Sequence, residues 1–105
     1  MTTIPTDRSS ALAALDRLVP LALSDTGQAR RVARFLMAWW NGPELGDFPV
    51  ADLFALDTAV ARDMAAIVGF LAQHPGALYI DALGYGDEMQ AIIARWHAPQ
   101  AANAA

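Results

Sequence analysis

Apolar residues recur at helical spacing along most of this chain. Leu12, Leu15, Leu18, Val19, Ala22 and Leu23 fall on one side at about 100° per residue. This predicts an amphipathic helix that starts at Ser9 or Ser10, both competent N-caps. Pro20 lacks an amide hydrogen and crowds the preceding turn, which predicts a kink or an early stop. A second helix is predicted from about Thr26 to Trp40, with Asp25 as its N-cap. With Val32 at the origin, Phe35, Leu36, Trp39 and Trp40 span about 140°, and Arg30, Arg31 and Arg34 cluster opposite. Asn41-Gly42-Pro43 predicts its end, Gly42 taking a left-handed cap and Pro43 being unable to continue. Trp40 lies at the edge of the arc and is expected to be half buried over the loop that follows.

Residues 42–50 form an acidic connection punctuated by glycine and proline, with Phe48 as its expected hydrophobic anchor. Pro49 to Leu56 predicts a short helical turn pinned by Leu53, Phe54 and Leu56. Asp57 is expected to cap a helix running to about Gln73, with Val60, Met64, Ile67, Val68 and Leu71 as its seam and Phe70 at one edge. His74-Pro75-Gly76 ends it. Leu78, Tyr79 and Ile80 fit either an extended run or an irregular turn. Gly84-Tyr85-Gly86 then turns into a last helix, Glu88 to about His97, capped by Asp87 and packed through Met89, Ile92, Ile93 and Trp96. The pattern predicts an all-α fold, a compact bundle of about four main helices plus a short helical turn. It divides the chain into a loose leader over 1–8, one helical domain over 9–97 and a frayed tail over 98–105.

Composition agrees with that picture. Of 105 residues 55% are hydrophobic, largely alanine, so the chain has material for one core and a bias toward helix. Cysteine is absent, which excludes disulfides and thiolate metal sites. No apolar run approaches the roughly 18 residues of a membrane span, and no basic segment precedes an apolar one. A cytoplasmic, membrane-free protein is the expectation. The basic residues are all arginine, a bias that codon usage in a GC-rich genome explains together with the alanine. The net charge of −4 is concentrated in residues 41–63, where Glu44, Asp47, Asp52, Asp57 and Asp63 face Arg62 alone. Such a distribution disfavours nucleic acid as a partner, because phosphate binding needs clustered positive charge.

Candidate chemistry is sparse. His74 and His97 sit at helix C-termini, where the dipole favours a capping role, and neither has a second ligand at helical spacing. Ser9, Ser10 and Ser24 lie outside any nucleophile elbow, and Gly84-Tyr85-Gly86 lacks the strand, lysine and third glycine of a phosphate loop. Asp63 falls near the apolar arc of its helix and needs a partner there, expected to be an arginine of a neighbouring helix rather than a catalytic proton acceptor. Asp16 carries the same ambiguity. The expectation is a non-enzyme with no catalytic, cofactor or metal site.

The run Asp25-Thr26-Gly27-Gln28-Ala29-Arg30-Arg31-Val32-Ala33, with Phe35-Leu36 and Ala38-Trp39-Trp40-Asn41 behind it, resembles the signature of an uncharacterised family of small proteobacterial proteins. Asp57, Ala61, Asp63-Met64 and Tyr85-Gly86 are similar to its later pattern, so that the resemblance covers about residues 11–97. It implies a setting on plasmids, integrative elements and prophages. The family has no established activity, and no site residue is carried over.

Small size, absent chemistry and a negative middle segment together predict a protein that binds a protein partner. The implied setting makes its most concrete form an inhibitor of a host defence complex, of the anti-CRISPR kind. The expected contact residues are Glu44, Asp47, Asp52 and Trp40, which offer negative charge to a basic groove. The alternative is a regulatory or nucleic-acid-associated module that works through Arg30, Arg31 and Arg34. Oligomeric state is left open by the sequence.

Overall fold

A computed structural model describes residues 3–97; the expected tail over 98–105 lies outside them. The order is α1 (Arg8–Ala22), α2 (Ala29–Leu45), a 3-10 turn (Val50–Ala55), α3 (Thr58–Gln73), a second 3-10 turn (Ile80–Leu83) and α4 (Gly86–Trp96). The fold is all-α, as the periodicity predicts.

Asp7, not Ser9 or Ser10, caps α1. Its extended backbone turns the carboxylate toward Ser10, whose amide donates at 3.3 Å and whose hydroxyl donates at 2.6 Å. These bonds hold the Asp7 carboxyl below its ordinary pKa, the hydroxyl contributing most. Ahead of the cap, Thr6 packs on Gly69 and accepts a 2.7 Å bond from Gln73, so this part of the leader is tied to α3. Pro20 falls in the last turn of α1 and does not end it. Helical bonding carries on to Leu23, whose amide donates to Val19.

The start and end of α2 differ from expectation. Gln28 occupies the N-cap without a side-chain cap bond, while the Asp25 carboxylate reaches across to Arg95 of α4. A distant guanidinium thus takes the acid that local rules assign to the first free amides. At the other end Asn41-Gly42-Pro43 makes a bend. Asn41 leaves the helical region (φ −160°, ψ 74°), and a short helical segment follows to Leu45. Pro43 fits there because the opening turn of a helical segment needs no amide donor from it. The chain finally turns at Gly46, with φ 107° and ψ 164°, a region that is essentially glycine's alone.

The core lies where α1 meets α2 and α3, extended by α4 against α2. Leu15, Leu18, Val32, Leu36, Met64, Ile67, Met89 and Ile92 are fully buried. Each such side chain contributes about 1.5–3 kcal/mol relative to exposure. Ile80 joins them from the start of the second 3-10 turn; Tyr79 before it has extended backbone and is half exposed, so residues 78–80 divide between the two open readings. Trp39 donates to the Leu78 carbonyl at 2.9 Å and Trp96 to the Ala22 carbonyl at 2.7 Å, so both indoles bury apolar bodies with their N–H satisfied. Tyr85, rather than Asp87, precedes the first turn of α4; Asp87 and Glu88 lie inside that turn, where their charge complements the dipole.

Candidate protein-binding surface

The loop after Gly46 runs back along α2 and joins the acidic and basic residues that the sequence left as alternatives. Asp52 sits against two arginines, with Arg31 Nε at 3.9 Å and Arg34 Nη1 at 3.6 Å from its Oδ2. Its side chain is only 22% exposed. Arg34 also donates to the Asp47 carbonyl at 3.4 Å. Two of the three arginines are therefore engaged by the loop, and Arg30 alone makes no ion pair among the described residues. Glu44 and Asp47 remain exposed, and neither carboxylate has a cationic partner among the described residues. Trp40 is half buried, as expected.

The opposite side of the same loop is apolar. Phe48 meets the Phe35 ring edge-on, with centroids 5.5 Å apart and planes at 82°. Between this pair and α3 lies a hollow of about 420 Å³, walled by Phe35, Phe48, Val50 and Leu53 on one side and by Ala65 and Val68 on the other. It is open because α3 packs mainly on α1 and leaves a gap toward α2. Two side chains expected to pack inward, Phe54 and Val68, instead face out in this region, and Val50 is exposed beside the hollow with them. Phe54 is 92% exposed, Val50 76% and Val68 52%. A 3-10 turn has three residues per turn, so Leu53 and Leu56 share the inward face and Phe54 is rotated outward. Val68 sits one step round α3 from buried Ile67 and faces the gap.

The remaining polar candidates make contacts within the fold. Asp63 accepts two parallel bonds from Arg17 of α1, at 3.0 Å from Nε and 2.8 Å from Nη2, and its side chain is 15% exposed. The pairing raises the Arg17 pKa above its ordinary value. The hollow beside this pair, about 260 Å³, is lined by Ser10, Arg17 and Arg62 among others and includes no histidine. Asp16 accepts from the Tyr85 hydroxyl. Burial first, and that bond second, push the Tyr85 phenol up to about 12. His74 and His97 stand at the C-cap positions of α3 and α4, and His74 leans edge-on against Phe70. Among the described residues, no three potential ligands gather in a metal-binding group.

A family model matches residues 12–97. The chain belongs to DUF7673, a family of unknown function. The matched span of this DUF7673 protein runs from within α1 to the end of α4 and contains the whole charged loop and the apolar hollow. No curated protein and no solved structure matches it. Among its described residues, no helix is long and apolar enough to cross a membrane.

The sequence reading missed the apolar hollow and its exposed rim. The signal was available in the short turn: Leu53 and Leu56 at a spacing of three exclude Phe54 from the same face.

Proposed function

We propose that this protein works by binding another protein and performs no chemistry of its own. The observation that carries the reading is how the acids of α2's end and the loop after it are divided. Asp52 is held by Arg31 and Arg34, while Asp47 of the loop and Glu44 near the end of α2 stay exposed. Mixed charge of this kind suits a protein interface, whereas phosphate recognition needs guanidinium groups that are free. Asp52 then acts as a brace for the loop and not as a contact residue.

The finer form of the proposal places the protein in the cytoplasm of a proteobacterium, encoded on a mobile element, where it inhibits a host defence complex in the anti-CRISPR manner. Exposed Glu44 near the end of α2 and Asp47 on the braced loop, neither ion-paired among the described residues, favour a basic groove on such a complex through steering and charge complementarity. The test has two arms. Titration of labelled DNA and RNA at low salt is expected to show no complex. Capture of a protein by the immobilised chain is expected to weaken when Glu44 and Asp47 are both replaced by alanine. Nucleic-acid binding that is lost on replacing Arg30, Arg31 and Arg34 would overturn the reading in favour of the arginine face.

A further inference from the structure

The hollow between α2 and α3 is the middle of a longer trough. Toward the C-terminal end of α3 it continues, past Phe35, Phe48 and Val68, into a hollow of about 540 Å³ that Trp39 also lines, with exposed Asp47 on its rim. Toward the N-terminal end of α3 it continues, past Leu53 and Ala65, to a third hollow beside Thr58, with exposed Arg62 on its rim. From Thr58 to Leu71 the trough follows α3 for about 20 Å at 1.5 Å per residue.

We propose that two copies of this chain meet along this trough about a two-fold axis. The trough is polar in the sense that matters for pairing with itself. One end carries a carboxylate and the other a guanidinium, and neither Asp47 nor Arg62 has an ion-pair partner among the described residues. A two-fold operator runs the troughs antiparallel and sets Asp47 opposite the partner's Arg62, twice per dimer. Parallel stacking would instead place like charges together.

Shape agrees with charge. Phe54, 92% exposed, stands at the Arg62 end, and the widest aromatic-lined hollow lies at the Asp47 end. The same operator that pairs the charges directs Phe54 toward the partner's Trp39, so each copy supplies one projecting ring and one receiving hollow. The hollow exceeds the roughly 150 Å³ that accommodates a benzene ring in a protein interior. Burial of Val50 and Val68 along the trough adds apolar contact. Glu44 lies outside the walls of all three hollows, so dimerisation leaves it available to a different partner.

The dimer and the heterologous partner both draw on Asp47, so the test uses the purified full chain alone, where only the self-contact forms. Sedimentation equilibrium up to about 100 μM, well above a micromolar dissociation constant, is expected to give the mass of a dimer. Phe54→Asp changes an exposed side chain and is expected to give a folded monomer, as checked by circular dichroism. Arg62→Asp is expected to weaken association about tenfold, and adding Asp47→Arg to recover most of that loss. A wild-type chain that stays monomeric over this range, even while it captures another protein, overturns the proposal. So does a dimer that is indifferent to Phe54→Asp, or a charge swap that gives no recovery.

Discussion

The Arg17–Asp63 pair offers a direct check on whether Asp63 is a structural acid. It ties α1 to α3 across the interface through which α3 chiefly joins the bundle. The two partners differ in environment: the Arg17 side chain is 62% exposed and that of Asp63 only 15%. An exposed pair alone contributes about 0.2–1 kcal/mol, and hydrogen bonds to a charged group about 1.5–3 kcal/mol. Solvent around Arg17 screens the upper value, which places the coupling near 1 kcal/mol. Arg17→Ala strands a mostly buried carboxylate and is expected to cost about 1.5 kcal/mol. Asp63→Ala returns an arginine to water and is expected to cost about 1 kcal/mol. Once Arg17 is gone, removing Asp63 relieves the stranded charge, so the double variant should also cost about 1.5 kcal/mol. Urea unfolding followed by circular dichroism measures each corner of the cycle. In thermal unfolding, Arg17→Ala should lower the midpoint by roughly 6–12 °C. Single costs that simply add in the double variant, or a neutral Arg17→Ala, would refute the reasoning.

Gly46→Ala places a side chain where φ is 107°, although no atom stands in its way, and is expected to cost about 1–3 kcal/mol through backbone strain alone. Chemical denaturation checks the cost; a stabilised variant would contradict it. In a Tyr79→Phe background, ultraviolet titration of Tyr85 should show ionisation near pH 12, because burial and the bond to Asp16 disfavour the phenolate. The folded-state value lies above the unfolded value of 10.0, so this stabilisation is complete below pH 10 and is lost as pH rises toward 12. Tyr85→Phe should abolish that dependence and cost about 0.5–1.5 kcal/mol near neutral pH.

Periodicity made the bundle legible because apolar burial is the strongest constraint on a helix face. Val32 and Leu36 of α2, Met64 and Ile67 of α3, and Met89 and Ile92 of α4 all lie in the core that their spacing predicts. Helix ends were less legible, since several capping residues are engaged at long range. Asp25 goes to Arg95. Asp57 stands at the start of α3 as expected, yet its carboxylate accepts from the Gln28 amide at 2.8 Å and its own backbone amide donates back at 2.7 Å. No local rule sees a partner 29 residues away. The same limit applies to the binding surface. The sequence separates Arg31 and Arg34 from Asp52 and offers them as rival surfaces, whereas the bend at Asn41 and the turn at Gly46 fold one onto the other. Phe54 is the opposite case: its exposure follows from the pitch of a single turn, against the rule that aromatic residues go inside.

Side-by-side capture from the native host, with the wild-type chain and a Glu44→Arg, Asp47→Arg variant immobilised at equal density, tests the central claim most directly. The wild type should retain a discrete protein complex at low salt, releasing it as ionic strength rises, and the variant should retain little of it. An empty wild-type matrix, or equal retention by both, would contradict the account.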